Sequence, residues 1–549
     1  MTGRKLLSQI VNLFLIPSLI GVLGGFSAIL FRKLIALSRE GFLLISGGDN
    51  KFYLVLLPFL FFFSYFVSRK LLVSPENVTI DDIAKKISLE KGGFNLKKGF
   101  LVLTLTSFNI GFGVPVGREG PIAKLGGVLS ELFSKLFKID RIHLPIYLTC
   151  GVSSAISATF NAPLAAVLFG IEIVLGKVNS YIIIPLVISS SVATLISREF
   201  LGDFTAFYVP KLHYQDMEIP LFLVVSLLSA LMSVLFFVLL EFFTALRVVY
   251  RHYWGKVAFI LGFLVGLLIF IYPEIAGVGY GSVTKLFLNG FSPDRALEIF
   301  IAKFLAVVLS FGSGVFGGLL APSIFMGAFL GYFIGDFSHF DPRVFALVGS
   351  AAFLSGISRA PFRSSLIIVE LTHSYQLVIP ILLTSVLTNY IIGISNEISL
   401  IKRALLHKGI SVEELLKSNL EALNVKSYLK FVKPVYETSH ISHVLKRFLE
   451  DDVRYLPVVR SPHDQTLVGI VSIRDLRLAA VGELSELHVK EIMTPEPFVL
   501  TLGAPPEEIL KVIALFEVNL IPVVDNSGIY VGMFDVDKFL KQVIVPKKF

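Results

Sequence analysis

The sequence predicts a polytopic, all-α membrane domain of two related halves with re-entrant helices, followed by a smaller α/β region. Hydrophobic residues make up 54% of the 549 residues, and 50 Phe accompany a single Trp, a composition too apolar for a soluble protein. Several apolar segments are short or are broken by Gly and Pro, which favours helices that enter a bilayer without crossing it. The third observation is an internal repeat.

This repeat relates two stretches of the apolar region. In the first copy a glycine, a proline and a glutamate occur in the order Gly151, Pro163 and Glu172. In the second copy Gly349, Pro361 and Glu370 follow in the same order and at the same intervals. Upstream of each copy lies a glycine-rich stretch that ends in proline, Gly117–Pro121 and Gly317–Pro322. The repeat predicts two homologous halves, about 11–200 and 219–400. If the halves are inverted, they place paired helix starts around one site.

The stretch Gly117-Arg118-Glu119-Gly120-Pro121 lies between two apolar runs and predicts a helix start at membrane depth. Pro121 suits the first position of a helix, where its missing N–H is not needed. The free amides and positive dipole end of such a helix attract anions, so Glu119 would occupy the place of an anion. Inserting a carboxylate there costs about 2.5–3.5 kcal/mol, which indicates a functional residue. The alternative is an ordinary solvated loop.

Charge and composition exclude several other functions. The net charge is only +8, and no basic tract is interleaved with aromatic residues, so nucleic acid is not an expected partner. The single Cys150 excludes an intrachain disulfide, and the histidines lack metal-ligand spacing, so no metal is expected. Gly277–Gly281 has the spacing of a potassium filter, but that filter needs four copies around an axis. We interpret it as a glycine-rich loop.

The C-terminal region predicts an α/β fold because it contains a second repeat. Short β-branched runs alternate with amphipathic helical patterns, at 439–449 in the first copy and 506–516 in the second. The paired runs are Arg454–Val459 with Gly469–Asp475, and Asn519–Val524 with Gly532–Asp537.

Four motifs in order make the chain resemble the CLC family of chloride channels and chloride/proton exchangers. They are Gly117–Pro121, Asn161–Glu172, Gly312–Pro322 and Arg359–Leu377. The resemblance implies a multi-pass protein of the cell membrane, a homodimer with one pathway per subunit for chloride or a similar small anion. It also implies that Glu119 is a gate that competes with the anion and swings away when protonated. No enzyme activity is expected.

The resemblance further implies which positions bind the anion. At the two helix starts they are Gly117, Arg118, Gly120, Gly318, Leu319 and Leu320. Leu319 and Leu320 replace the usual Ile-Phe pair, which keeps the backbone amides. Val78 and Ile401 stand where the family usually has a serine and a tyrosine that close the inner side. The inner gate is therefore expected to be wider or less polar, which leaves the anion preference open.

The positions of Glu172 and Ile173 bear on proton coupling. Proton-coupled members carry two successive acids here, the second of which relays protons, and Ile173 cannot titrate. The sequence therefore predicts a passive channel gated by Glu119. The main alternative is a chloride/proton antiporter with an unconventional inner proton path. An ATP-driven pump is disfavoured because no Gly-Lys-Ser/Thr phosphate loop is present. A membrane-bound nucleotide sensor without transport is a further alternative.

The C-terminal repeat resembles a pair of CBS domains, which are cytoplasmic in the CLC family. No cofactor is required, but an adenine nucleotide is a candidate ligand because Ser472 and Asp475 match the ribose-binding pattern. A role in packing and dimerisation is the alternative. The predicted domains are 1–410 for the membrane domain, 411–424 for a linker, and 425–482 and 483–549 for the CBS pair.

Overall fold

A computed structural model describes most of the chain, in two compact units formed by residues 1–392 and 393–549. The described residues are 10–70, 83–84, 86–87, 92–139, 143–175, 180–203, 205–250, 252–407, 425–450, 455–472, 475, 487–505, 508–509, 520–525, 527–536 and 538–539. The predicted linker lies outside them, so the domain boundaries stay a prediction.

The first unit is helical. Its main helices are α1 (Ile16–Ser46), α2 (Phe52–Lys70), α3 (Leu96–Gly111), α4 (Glu119–Leu136), α5 (Leu144–Phe160), α6 (Pro163–Phe169), α7 (Ser180–Leu201), α8 (Ile219–Val249), α9 (Trp254–Ile271), α10 (Tyr280–Leu288), α11 (Pro293–Ser313), α12 (Leu320–Phe337), α13 (Pro342–Ser358), α14 (Pro361–Thr372) and α15 (Val378–His407). Residues Gly170–Leu175 continue α6 as a π-helix.

Seven segments of the described residues are long and apolar enough to cross a membrane. They are Val11–Ser46, Tyr181–Leu201, Asp216–Arg247, Trp254–Ile271, Pro293–Ser313, Leu320–Phe337 and Tyr375–Gly393. Shorter apolar helices, including α5, α6 and α13, accompany them. Full-length spans mixed with short helices are what broken apolar runs produce, and the predicted multi-pass helical domain is confirmed.

The two halves repeat the same helix pair. Helices α4 and α12 both have 18 residues, and α5 and α13 both have 17. Glycines allow each pair to touch backbone to backbone. A Cβ on Gly126 or Gly151 would meet the carbonyl oxygen of the other, and Gly327 and Gly349 stand in the same relation. The sequence repeat is therefore also a repeat of packing.

The start of α4 and the loop at Gly277 can be compared with the sequence predictions. Helix α4 begins at Glu119, so Pro121 lies within the first turn and not at its first position. All amides of a first turn lack an intrahelical acceptor, so proline is tolerated throughout it. The glycine-rich stretch that begins at Gly277 is a loop leading into α10, as expected. The buried Lys303 holds this loop, because its Nζ donates to the carbonyl oxygens of Ile275 at 2.8 Å and Gly277 at 2.7 Å.

The second unit has the predicted α/β character. Its strands are β1 (Leu429–Lys430), β2 (Val435–Tyr436), β3 (Tyr455–Val459), β4 (Leu467–Ser472), β5 (Thr494–Pro495), β6 (Leu500–Thr501), β7 (Leu520–Val524) and β8 (Tyr530–Asp535). They form two four-stranded sheets, ordered β2-β3-β4-β5 and β1-β8-β7-β6. Helix α16 (Ile441–Glu450) matches the first amphipathic pattern, whereas most of 506–516 lies outside the described residues.

The two sheets share one internal design. In the first, β2 and β3 are parallel and β3 and β4 antiparallel, and β6, β7 and β8 follow the same order in the second. The β3–β4 pair and the β7–β8 pair each have a register shift at the corresponding position, Val458/Val459 in the first sheet and Val523/Val524 in the second. The second sequence repeat is therefore also a structural repeat.

The close approach of α12 and α13 gives a testable prediction. Gly327→Ala places a methyl group against the carbonyl oxygen of Gly349 and should destabilise the protein by roughly 1–3 kcal/mol through overpacking. The measurement is the thermal unfolding midpoint of the purified protein in detergent. Gly281→Ala in α10 is the matched control, because no atom lies within 4 Å of its new Cβ. Equal midpoints for the two variants would contradict the proposed contact.

Candidate anion and proton site

Two helix starts, one from each half, meet backbone to backbone. The amide of Gly117 donates to the carbonyl oxygen of Gly318 at 2.6 Å, and the amide of Gly318 donates back at 2.8 Å. This bridge fixes the first residues of α4 and α12 beside each other. Helix starts carry free amides and a positive dipole end, so their meeting makes a region of positive potential.

The side chain of Glu119 occupies this region. It is 1% exposed, and its Oε1 accepts a hydrogen bond from the amide of Leu320, the first residue of α12. Its Oε2 makes no hydrogen bond within the described part of the chain. The carboxylate of one half thus caps the helix of the other half. A carboxylate bound to backbone amides in this way occupies a site that suits a small anion.

The glycines around Glu119 are required by close approach. A Cβ added to Gly117 or to Gly318 would collide with the Glu119 carboxylate. Leu319 is the N-cap residue of α12, and Gly120 lies in the first turn of α4. The structure therefore brings together the predicted positions at both helix starts.

Arg118 adds a positive charge next to Glu119. Its side chain is buried, and its guanidinium lies 4.9 Å from the centre of the Phe160 ring and 5.9 Å from that of Tyr280. Aromatic faces attract a cation and help to offset its desolvation. The charge is therefore held in a fixed place beside the helix start.

A second pair of carboxylates repeats the same kind of contact between the halves. Glu370 accepts hydrogen bonds from the amides of Leu164 at 3.1 Å and Ala165 at 2.7 Å, at the start of α6. Glu172 accepts one from the amide of Arg363 at 3.2 Å, at the start of α14. Each glutamate of the sequence repeat thus caps a helix of the opposite half, which satisfies amides that would otherwise be buried without acceptors.

Arg363 was missed by the sequence reasoning. It is 1% exposed, and its guanidinium lies 5.1 Å from the centre of the Phe169 ring. A cation inside an apolar helix is by default a functional candidate, so the sequence did contain a signal.

Three predicted positions are not placed in this site. Val78 lies outside the described residues, and so do the side chains of Ile173 and Ile401. For Ile173 and Ile401 the structure does describe the backbone: Ile173 belongs to the π-helical segment after α6, and Ile401 belongs to α15. The predicted width and polarity of the inner gate stay a prediction.

The predicted nucleotide positions lie at the end of β4. The carboxylate of Asp475 accepts from the hydroxyl of Ser472 at 2.7 Å and from its amide at 2.9 Å, and the side chain is buried. The two residues are therefore hydrogen-bonded to each other. No group of three metal-ligating side chains occurs among the described residues.

Comparison with known proteins now identifies the family. Residues 59–393 match the voltage gated chloride channel family, and residues 425–482 and 489–544 match CBS domains. The chain belongs to the CLC family, as its motifs predicted, and is an integral, multi-pass membrane protein with two CBS domains. Members of this family are transporters and not enzymes.

Individual relatives give finer information. An H⁺/Cl⁻ exchange transporter, ClcA of Vibrio campbellii, is 30% identical over 295 residues, which are 50% of this chain and 62% of that protein. The chain thus spans less than two thirds of the length of that relative. A slow cyanobacterial Cl⁻/H⁺ antiporter covers 70% of this chain and 94% of its own, and a eukaryotic CLC transporter covers 97% and 98%. Both have a TM-score of 0.60 and 20% identity, which shows the shared fold.

These comparisons correct the prediction of a passive channel. That prediction depended on Ile173 alone, and a relative that is 30% identical is named an H⁺/Cl⁻ exchange transporter. The physical reason for the error is that one missing acid does not remove every ionisable group from the region. Glu172 is still ionisable, and it lies at the start of α14, where it accepts from the amide of Arg363. The comparisons favour the alternative interpretation, an antiporter, over the channel.

The cap at the start of α6 gives the next prediction. Glu370→Ala leaves the amides of Leu164 and Ala165 without their acceptor and should cost about 1–3 kcal/mol for the buried amide of Ala165, whereas Glu370→Gln keeps an acceptor and should cost less. The thermal midpoint in detergent is measured for both. Glu298→Ala is the control, because it removes an exposed partner of Arg295 and should have almost no effect. A midpoint of Glu370→Ala equal to that of the control would refute the cap.

Proposed function

We propose that this protein exchanges chloride, or a similarly small anion, for protons across a membrane. The single observation that carries the proposal is the Glu119 carboxylate, which lies among the amides where the two halves meet. A carboxylate and an anion compete for the same amides. The carboxylate is released most readily when a proton neutralises it, so proton uptake and anion entry are linked at one site.

The helix starts supply the proposed anion contacts. The proposed amides are those of Gly120, Leu319 and Leu320, and Arg118 supplies a fixed charge beside them. Gly117 and Gly318, whose amides donate to each other's carbonyl oxygens, are proposed to line the same site without a side chain. Only one oxygen of Glu119 is held by a hydrogen bond within the described residues, which favours its release. Val78 and Ile401 are proposed to border the inner side, where the absence of the usual serine and tyrosine would leave a wider opening for water.

Glu172 is the proposed inner station of the proton path. It precedes Ile173, its side chain is half-buried, and its carboxylate accepts from the start of α14. An accessible carboxylate can take protons from water, and water can carry them past the apolar position. The proposed inner path is therefore unconventional, because its ionisable group is Glu172 and not the residue at position 173. The pathway is proposed to be complete within each subunit of a homodimer.

The exchange is tested in proteoliposomes. With the voltage clamped by potassium and valinomycin, an imposed chloride gradient should drive protons uphill in the wild type. Glu119→Gln keeps the shape of the side chain but cannot bind and release a proton. It should abolish uphill proton movement, and its chloride flux should lose most of its dependence on pH.

The control is Glu131→Gln in the same helix. Glu131 is also buried and also accepts from backbone amides, those of Gly93 and Phe94, but lies outside the proposed site. It should leave the ratio of protons to chloride unchanged. Chloride flux without uphill protons in the wild type would overturn the exchange, and coupling that survives in Glu119→Gln would overturn the role of Glu119.

We also propose that the first CBS domain binds an adenine nucleotide near Ser472 and Asp475. The hydrogen bonds from Ser472 at the end of β4 support this, because they hold the buried carboxylate of Asp475 in place as an acceptor for a ribose hydroxyl. Asp475→Asn in the full-length protein should weaken binding of ATP or AMP about tenfold, the loss of one charge-assisted hydrogen bond. Asp535→Asn, at the position of β8 that matches Ser472, should weaken it less, because Lys538 stands where the first copy has Asp475. Calorimetry that detects no binding to the wild type would exclude the site.

A further inference from the structure

An open cavity of about 520 Å³ lies where the end of α2 meets the start of α9. A volume of this size is typical of sites that bind a small-molecule ligand. Helix α2 contributes Phe62, Tyr65 and Phe66, and the chain around the start of α9 contributes His252, Tyr253, Gly255 and Lys256. None of these residues belongs to the anion and proton site, so the cavity needs a separate explanation.

The cavity lies at one surface of the membrane. Two candidate spans, Asp216–Arg247 and Trp254–Ile271, end and begin beside it, and only residues 248–253 connect them. A connection this short between two spans stays at the membrane surface. Tyr250 and Tyr253 in this connection are exposed, as is typical of aromatic residues at the boundary between lipid and water.

Charge at this surface has one sign. Residues 242–273 contain Arg247, Arg251 and Lys256 but no Asp or Glu. Lys256 is exposed, and its ammonium has no acidic partner in the part of the chain that the structure describes. Lys and Arg collect on the cytoplasmic side of membrane proteins, where the lipid surface is itself negatively charged. A cation in this cavity is therefore expected to attract an anionic group.

The wall that α2 contributes is apolar. Phe62 is 46% exposed and Phe66 is 50% exposed, and both belong to the apolar stretch Phe52–Ser68. Exposed apolar rings that are bordered by polar groups mark places where lipid or another apolar group packs. Gly255 brings the start of α9 against this wall, because a Cβ there would meet the Phe62 ring at 3.1 Å. Apolar rings and an exposed cation therefore line the same cavity.

We propose that this cavity binds an anionic phospholipid of the membrane, with its phosphate beside Lys256 and His252 and an acyl chain along Phe62 and Phe66. A soluble phosphate has the same charge but gains nothing from the apolar wall. A zwitterionic phospholipid has the acyl chains, but its own ammonium offsets the charge of its phosphate. Both should therefore bind more weakly. The inference does not depend on the exchange of anions and protons.

The single tryptophan of the chain reports on this cavity. Trp254 stands between the lining residues Tyr253 and Gly255, and it is 1% exposed. Its indole N–H donates to the carbonyl oxygen of Ser313 at 3.1 Å, which holds the ring in one place. Bromine atoms on a lipid quench tryptophan fluorescence only at close range. Brominated lipids therefore measure which lipid occupies this position.

The experiment places the full-length protein in vesicles of phosphatidylglycerol and phosphatidylcholine, of which only one is brominated on its acyl chains. At equal mole fraction, brominated phosphatidylglycerol should quench Trp254 several times more strongly than brominated phosphatidylcholine. Lys256→Gln should remove most of this preference, since one cation near an anionic lipid surface contributes about a fivefold factor. Lys51→Gln is the matched control: it removes an exposed lysine at the other end of α2 and should leave the preference unchanged.

Three results would overturn the proposal. Equal quenching of the wild type by the two brominated lipids would show that the cavity does not select an anionic lipid. A preference in Lys256→Gln within twofold of that in Lys51→Gln would exclude the contact with the cation. Quenching that inorganic phosphate relieves, while potassium chloride of the same ionic strength does not, would show that the cavity takes a soluble anion and not a lipid.

Discussion

The contact between Gly117 and Gly318 is the constraint on which the rest of the first unit depends. Two reciprocal hydrogen bonds hold the starts of α4 and α12 together, and a side chain on either glycine would collide with the carboxylate of Glu119. Two positive helix ends do not approach each other without an intervening negative group. Glu119 supplies that group, so the same electrostatic need that stabilises the fold also creates a place for a small anion.

Each half of the first unit supplies carboxylates that cap helices of the other half. Glu119 reaches from α4 to the start of α12, Glu172 to the start of α14, and Glu370 to the start of α6. A short helix inside a membrane cannot satisfy its first amides with water, so it needs an acceptor from another element. Helices that start within the protein and ionisable side chains at their ends are consequently found together.

Much of this arrangement could be predicted from the sequence, and the failures have physical reasons. The order of glycine, proline and glutamate revealed the repeat because helix starts and close approaches need those residue types. Arg363 was overlooked because it stood inside a motif that already had an interpretation. The channel prediction failed because Ile173 was judged alone, although proton movement depends on every ionisable group and water nearby. The inner-gate positions Val78 and Ile401 could be aligned but not placed, since spacing does not fix the surroundings of a side chain.

In the proposed exchange, coupling between protons and anions would follow from charge balance more than from any one relay residue. A site with a fixed cation, Arg118, and one carboxylate that can be neutralised, Glu119, changes its net charge by one unit when a proton binds. In surroundings of low dielectric that change is large enough to favour anion entry in one state and oppose it in the other. An acid at position 173 would affect how fast protons arrive, whereas the charges around Glu119 determine whether their arrival is linked to the anion. The absence of a titratable group at Ile173 is therefore compatible with exchange.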